Sequence, residues 1–188
     1  MAVRVGYTVF NDPTLVKKRA WLNANGIKNP LNFATVWNKD ITFLSGGSLD
    51  SEFPLSVIPS NAVICGPIYL SSAPASQQDP ELATWLKRAP TVLINLGSRT
   101  TFTEQASREI ITALKQVFDT TSVQVLWKYN KRDAFSDDFL SDVSKELANG
   151  RLRLEKWLTA DPAALLETGD IVLFVHHGGA NCYHEGVG

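Results

Sequence analysis

The feature that most constrains the fold of this chain is a regular alternation of short apolar strands with helices, which begins near residue 79. The predicted strands are Thr91–Leu96, Val123–Tyr129, Leu152–Leu154 and Ile171–Val175. The segments between them carry helix start signals such as Thr103 and stop signals such as Gly150. Because the strands are short and apolar enough to be covered on both faces, the pattern predicts an α/β fold with a parallel sheet flanked by helices.

The first part of the chain differs, because its apolar runs are short and irregular. It contains one clear helix, for which Asp12 is a candidate cap, Pro13 suits the first turn and Gly26 favours the end. Strand-like segments follow at Ile41–Ser45 and Ala62–Cys65. The stretch from 66 to 80, GPIYLSSAPASQQDP, is rich in Ser, Pro, Ala and Gln and is typical of a linker.

The composition argues against several classes of partner. The 188 residues include 18 Lys and Arg against 19 Asp and Glu, with no block of like charges, which argues against binding to nucleic acid or an anionic membrane surface. The longest strongly apolar run, Ile171–Val175, is far shorter than the roughly 20 residues of a membrane-spanning helix. Two cysteines are too few for a disulfide framework, and no secretory signal is visible, so we expect a cytoplasmic protein.

The loops that follow the strands are the places to look for a ligand, because open α/β sheets bind ligands at the carboxyl ends of their strands. The first loop, GSRTTF, is a Gly-Ser turn ahead of a helix, where Ser98 could offer a hydroxyl to a phosphate. The third loop places Trp157 just past a strand. The basic residues after the second strand, Lys128, Lys131 and Arg132, are expected in a solvated loop, with a position near the ligand as the alternative.

The fourth loop, HHGGANCYHEGVG, has the strongest signal. Two histidines end a strand, Gly178-Gly179 lets the backbone turn tightly, and a helix is predicted to begin near Ala180. A helix N-terminus has free N–H groups and a partial positive charge, so this loop is suited to hold an anion. Asn181 and Glu185 are four residues apart and share one helix face, which could contact a phosphate and then a sugar hydroxyl.

The same loop also raises a zinc hypothesis. The candidate ligands would be His176, His177, Cys182, His184 and Glu185. Their spacings match no standard structural zinc pattern, so the sequence predicts no metal site.

Trp157, followed about twenty residues later by HGGANCYHE from His177 to Glu185, resembles the donor-nucleotide signature of the UDP-glycosyltransferases. Members of that family have the glycosyltransferase-B fold, which contains two Rossmann-like lobes. The resemblance is closest to animal and fungal members, runs from about Asn61 to the end, and is strong only over 157–185. It implies that 1–66 is the tail of the N-terminal acceptor lobe, 67–80 an interdomain linker and 81–188 a truncated, Rossmann-like UDP-sugar-binding lobe.

The resemblance implies a role for each matching residue. Trp157 would stack on uracil and Glu185 would accept the ribose hydroxyls, while His177 and Asn181 would contact the diphosphate. Cys182 stands where plant members have Ser, so its phosphate contact would rest on a backbone N–H, and Ala160 replaces a Gln of those members. The full set of predicted donor-nucleotide-binding residues is Ser98, Trp157, His177, Gly179, Asn181, Cys182 and Glu185.

The implied reaction is transfer of a hexose, with glucose as the first candidate, from a UDP-sugar to a small apolar acceptor. The UDP-sugar is a substrate, and no cofactor is implied. The family's general base is a His near the start of the acceptor lobe, whereas no histidine here precedes His176, so no catalytic residue is assigned. We therefore expect a fragment of a longer enzyme that is inactive alone. The alternatives are a non-catalytic nucleotide-binding module and another nucleotide-sugar enzyme of the same fold, such as an epimerase.

Overall fold

A computed structural model describes residues 11–28, 40–47, 56–68 and 72–187. The chain divides into two compact units, residues 1–68 and 69–188. The helices are α1 Pro13–Ala24, α2 Ala75–Gln78, α3 Pro80–Leu86, α4 Glu104–Thr120, α5 Ser144–Ala148, α6 Pro162–Leu166 and α7 Ala180–Val187, with a 3₁₀ helix at Asp138–Val143. The strands are β1 Phe43–Ser45, β2 Ala62–Ile64, β3 Thr91–Asn95, β4 Gln124–Lys128, β5 Leu152–Glu155 and β6 Ile171–His176.

The first unit contains the predicted helix and a short parallel strand pair. Helix α1 begins where the sequence predicted, because Asp12 Oδ1 accepts hydrogen bonds from the backbone N–H groups of Thr14 and Leu15 at 2.9 and 3.0 Å. None of the residues of α1 is buried. Strands β1 and β2 pair in parallel with Phe43 opposite Ala62, which confirms both predicted strands in shortened form.

The second unit is built on a four-stranded sheet with the strand order β5-β4-β3-β6. All of its pairings are parallel, and the helices pack on its faces. The predicted α/β class, a Rossmann-like parallel sheet flanked by helices, is therefore confirmed. Because the strands are parallel, their carboxyl ends gather at one edge of the sheet, where the loops that begin at Leu96, Tyr129, Lys156 and His177 emerge.

The two central strands are covered on both faces, as predicted. Every residue of β3 and β4 is buried. Val92 and Ile94 point into a core shared with α4, whereas Leu93 points into a second core shared with α3 and α6. The alternation of side chains across a strand thus supplies both cores from the same short segment.

Strand β6 differs from the prediction that the strands are covered on both faces. In the described sheet it is an edge strand, and Val172, Leu173 and Val175 are 59%, 55% and 39% exposed. The strand is the most apolar of the set, but apolar composition alone does not reveal whether a strand is central or at an edge. Its other side chains, Phe174 and His176, stack with ring centroids 5.0 Å apart.

Three helical segments refine the sequence predictions. The spacing of Ala106, Ile110, Leu114 and Val117 predicts that they form the buried stripe of α4, whereas the buried residues are Ser107, Ile111, Leu114 and Phe118. Ser107 is buried, and its hydroxyl hydrogen-bonds to the Tyr129 hydroxyl at 2.9 Å. The spacing of Phe139, Val143 and Leu147 predicts one helix, which begins as the 3₁₀ helix. Part of the linker-like stretch, Ala75–Gln78, is helical.

Within the described ranges, none of the helices is both long enough and apolar enough to span a membrane.

Candidate functional site

A cleft of about 660 Å³ lies at the carboxyl edge of the four-stranded sheet. It is bounded by the end of β4 and by the loops that follow β3, β5 and β6. Its lining residues are Asn95, Leu96, Gly97, Ser98, Arg99, Thr100, Lys128, Trp157, Leu158, Thr159, Ala160, Asp161, Pro162, His177, Gly179, Ala180, Asn181, Cys182 and Glu185. The position agrees with the rule that open α/β sheets bind ligands at the carboxyl ends of their strands.

The loop after β3 is shaped by its own side chains. Asn95 is buried, and its Oδ1 accepts a hydrogen bond from the Gly97 N–H at 3.1 Å. Gly97 has φ +86°, which favours glycine, and Thr100 Oγ1 donates to the carbonyl of Leu96. Ser98 lies at the tip of this turn, exposed and lining the cleft.

The two histidines at the start of the loop after β6 have different positions and contacts. His176 Nδ1 accepts a hydrogen bond from the Gly178 N–H at 3.2 Å, so this imidazole stabilises the turn. His177 instead lines the cleft, between two glycines. A Cβ at Gly97 would lie 2.8 Å from His177 Cε1, and a Cβ at Gly179 would also clash with the ring. Both glycines are therefore required for this position of the imidazole.

Helix α7 begins directly after this glycine turn. Its first turn contains Cys182, which is 6% exposed and lines the cleft, and Tyr183, whose N–H donates to the Gly179 carbonyl at 2.9 Å. Asn181 is exposed, and Glu185 is half-buried one turn further on. Because the N-terminal end of the helix borders the cleft, its free N–H groups and partial positive charge favour an anion there.

Trp157 presents an aromatic surface at the β5 side of the cleft. It is 63% exposed, unlike the buried tryptophans of the core. The ammonium of Lys128 lies over the indole, with Nζ 4.3 Å from the ring centroid, and Nζ also donates to the Gly97 carbonyl at 3.0 Å. Lys128 is only 7% exposed, although it was predicted in a solvated loop; it is in fact the last residue of β4.

The other members of the predicted basic group lie apart from the cleft. Lys131 Nζ forms an ion pair with Asp137 Oδ1 at 2.7 Å and donates to the Phe135 carbonyl at 2.8 Å. Arg132 is exposed, and neither residue lines the cleft. The three basic residues therefore do not act as one patch, because the strand ends between the first of them and the other two.

Burial, and then neighbouring charges, shift the pKa values of three groups in the cleft. Burial lowers the pKa of Lys128. Burial, and then the neighbouring Asp161 carboxylate, raise the pKa of Glu185. The pKa of the Cys182 thiol is raised first by burial and then by Glu185, which outweigh the opposing effect of Lys128. All three shifts disfavour the charged forms, as expected for titratable groups removed from water.

Every residue in the predicted donor-nucleotide set lines this one cleft. The structure thus brings Ser98, Trp157 and the residues of the HGGAN loop together from three separate loops. Their individual contacts to a nucleotide stay predictions.

Asn95, Asp161 and Gly97 also line the cleft, although the sequence predicted no role for them at the site, and Lys128 lies there as the alternative prediction for the basic group had it. A usable signal was that Asn95 and Lys128 each end a strand, where a side chain points toward the ligand edge.

Within residues 11–28, 40–47, 56–68 and 72–187, no three His, Cys, Asp or Glu side chains are grouped so that they could hold a metal ion. His176 stacks on Phe174 and supports its own turn, whereas the exposed His177 ring lies beside Gly97 and Gly179.

Comparison with known proteins relates this chain to a glycosyltransferase. No family model matches the chain. The chain is 38% identical over 169 residues to a curated relative, the glycosyltransferase sdnJ of Sordaria araneosa. The aligned region covers 86% of this chain and 33% of that protein, so the chain spans about a third of the relative's length. Over most of its own length, the chain is therefore homologous to part of a glycosyltransferase.

Proposed function

We propose that this chain is the UDP-sugar-binding part of a glycosyltransferase with the glycosyltransferase-B fold. The reaction is transfer of a hexose, glucose in the first instance, to a small apolar acceptor. In this proposal residues 81–188 bind the donor, 67–80 link the lobes and 1–66 belong to the acceptor lobe. The similarity to a glycosyltransferase supports the reaction class, and the resemblance in 157–185 supports UDP as the nucleotide.

The observation that carries the proposal is that an exposed indole and a helix N-terminus border the same cleft. Trp157 offers a flat apolar surface on which a base can stack, while the start of α7 offers N–H groups to an anion. A nucleoside diphosphate has both of these features in one molecule, a flat base and a charged diphosphate. The cleft volume of about 660 Å³ is within the range of small-molecule sites.

The chemistry of the leaving group fits the residues at the β6 side of the cleft. When the bond from the sugar to UDP breaks, negative charge develops on the diphosphate. Donors already aimed at that charge favour the transition state more than the ground state. In this proposal, His177, the Asn181 side chain and the α7 N–H groups supply those donors, together with the Ser98 hydroxyl across the cleft.

Glu185 is proposed to contact the ribose. It follows Asn181 by four residues, so both side chains lie on one face of α7. A carboxylate close to a diphosphate would repel it, whereas a carboxylate that accepts hydrogen bonds from two ribose hydroxyls would add affinity for the nucleoside. We therefore propose that Glu185 contacts the ribose hydroxyls and not the diphosphate.

The direct test is calorimetric titration of the chain with UDP, ADP and inorganic pyrophosphate. We expect UDP to bind more tightly than either of the others, because pyrophosphate lacks the base and ADP has a larger one. Glu185→Ala should weaken UDP binding and leave pyrophosphate binding unchanged. Equal affinities for UDP and ADP, or equal losses for UDP and pyrophosphate in Glu185→Ala, would contradict the assignment of base and ribose contacts.

The reaction class needs a separate assay. UDP-glucose and a mixed panel of phenolic and sterol acceptors are incubated with the longer enzyme of which this chain is proposed to be a part, since the chain alone is expected to be inactive, and the products are separated by mass and sugar identity. A glycoside supports the transferase proposal. Conversion of UDP-glucose into an isomeric nucleotide sugar would indicate an epimerase, and nucleotide binding with no product in the full-length enzyme would indicate a binding module.

A further inference from the structure

We infer that Lys128 is a positioning residue that holds the Trp157 indole and the loop after β3 in the arrangement that a nucleotide requires. This inference rests on the proposed function, because UDP is the ligand that would use both groups. It concerns a residue that the sequence predicted in a solvated basic loop, with a position near the ligand as the alternative. Lys128 lies at the end of β4, and its ammonium makes two contacts that suit this role.

The strand order places Lys128 between the two groups that it contacts. Strand β4 lies between β5 and β3, so the last residue of β4 is flanked by the loop that carries Trp157 and the loop that carries Gly97. Lys128 Nζ is 4.3 Å from the centroid of the Trp157 ring and 3.0 Å from the Gly97 carbonyl oxygen. One ammonium group therefore joins the ends of three neighbouring strands.

The surroundings of Lys128 favour such a role over simple solvation. The residue is 7% exposed, and no carboxylate in the described part of the chain forms an ion pair with it. Burial of a charge costs free energy unless other interactions offset it. Here the offsetting groups are a carbonyl oxygen and an aromatic face, and a cation–π contact is stronger when the cation is removed from water.

The contact with Trp157 would prepare the ring for a base. An indole that is 63% exposed has few neighbours to fix its rotamer. The ammonium over one face restrains the ring and leaves the opposite face for stacking. Restraint before binding reduces the conformational entropy lost when the ligand binds, which increases affinity.

The contact with Gly97 extends the same restraint toward the phosphate side. Ser98 follows Gly97 directly, so fixing the Gly97 carbonyl also fixes the turn that presents the Ser98 hydroxyl. On the other side of Gly97, the His177 ring packs against this glycine. A continuous row of contacts, Trp157 to Lys128 to Gly97 to His177, therefore crosses the carboxyl edge from β5 to β6.

The first experiment tests the positioning role without any ligand. The 188-residue chain contains five tryptophans, so labelling with 5-fluorotryptophan gives five fluorine NMR signals, and Trp157→Phe identifies that of Trp157. We expect Lys128→Met to shift or broaden the Trp157 signal and to leave that of buried Trp85 in place. Lys156→Met, a change at an exposed lysine outside the cleft, is the matched control. An unchanged Trp157 signal in Lys128→Met would overturn the inference.

The second experiment separates positioning from direct ligand contact. We expect Lys128→Met to weaken UDP binding about three- to tenfold, and Lys128→Arg to stay within about twofold of the unsubstituted chain. In a Trp157→Ala background, Lys128→Met should add less than about a twofold loss, because residues that act as one unit are not additive. A full additional loss in that background would mean that Lys128 acts on the ligand directly, and would contradict the inference.

Lys128→Gln distinguishes the two contacts and covers the case in which Lys128→Met does not fold. Its amide keeps a donor for the Gly97 carbonyl but places no charge on the ring. We expect it to move the Trp157 signal as Lys128→Met does; a signal like that of Lys128→Arg would overturn the role of the charge. If the unsubstituted chain binds no UDP, the proposed function fails, while the fluorine measurement still decides whether Lys128 positions the ring.

Discussion

Two tryptophans of the second unit illustrate how differently its core and its cleft are built. Trp85, on α3, is 7% exposed, and its Nε1 donates to the Gly150 carbonyl at 2.7 Å. Trp157, just past β5, is 63% exposed and contacts a lysine ammonium. The Trp85 ring is buried and its N–H is paired, whereas most of the Trp157 ring is exposed to solvent. The comparison teaches that the core gains stability from burial, while the cleft keeps apolar area available for a ligand.

The largest effect should come from the core tryptophan. We expect Trp85→Ala to lower the free energy of unfolding by about 3–5 kcal/mol, because it leaves a cavity in the core and an unpaired Gly150 carbonyl. Urea unfolding followed by circular dichroism measures this loss. Trp157→Ala, measured in parallel, should cost less than about 1 kcal/mol, since its ring is mostly exposed. Similar losses for the two variants would remove the distinction between the regions.

The reverse ranking is expected for ligand binding. Trp157→Ala should weaken UDP binding by about 1–3 kcal/mol, the range found for stacking of a base on an aromatic side chain. Trp157→Phe keeps an aromatic ring and should recover part of the affinity. Trp85 variants that stay folded, such as Trp85→Phe, should bind UDP normally. Equal binding losses at both positions would exclude Trp157 from the site.

The next pair of variants, Gly97→Ala and Gly169→Ala, introduces similar backbone strain at the cleft and away from it. Gly97 and Gly169 have similar φ values, +86° and +75°, but a Cβ at Gly97 would lie 2.8 Å from His177 Cε1, whereas a Cβ at Gly169 has no heavy atom within 4 Å. Alanine at either position should cost stability of about 1–3 kcal/mol through strain.

Only Gly97→Ala should also weaken UDP binding, by about tenfold, because the added methyl group displaces the imidazole from the cleft. Isothermal titration at a temperature where both variants are folded gives the comparison. A comparable binding loss in Gly169→Ala would show that strain alone, and not the position of His177, explains the effect.

The smallest expected effect concerns Glu185, whose raised pKa is caused first by burial and then by Asp161. The folded state therefore holds this proton more tightly than the unfolded state. The free energy of unfolding should fall as pH rises from the unfolded-state pKa through the higher folded-state pKa. Glu185→Gln should flatten this dependence and be slightly more stable at neutral pH, measured by urea unfolding between about pH 4 and 8. Exposed Glu167→Gln is the control; an identical pH profile for both variants would contradict the prediction.

The strands of the second unit could be predicted from sequence because Thr91–Leu96 and Ile171–Val175 are apolar runs and Val123–Tyr129 alternates, with helix signals between them. Thr91–Leu96 and Ile171–Val175 agree with β3 and β6 to within one residue. The gathering of Ser98, Trp157 and the HGGAN loop in one cleft also follows from a local pattern, because parallel strands place their following loops at a common edge.

The remaining features depend on which strands are neighbours, and sequence patterns do not state this. Lys128 looked solvated because two basic residues follow it closely, but its burial results from lying between β3 and β5. The exposure of Val172, Leu173 and Val175 has the same origin, since β6 lies at the edge of the described sheet. The buried stripe on α4 includes the polar Ser107, whose partner Tyr129 is distant in sequence, so an apolar spacing pattern does not reveal it.

The close approach of His177 to Gly97 and Gly179 has a consequence for how such chains can diverge. The two glycines belong to loops far apart in sequence, yet one exposed imidazole occupies the space beside both. A side chain larger than hydrogen at either glycine would displace the imidazole unless residue 177 became smaller. Relatives of this protein in which either glycine is replaced should therefore have a smaller residue at 177 or an imidazole outside the cleft.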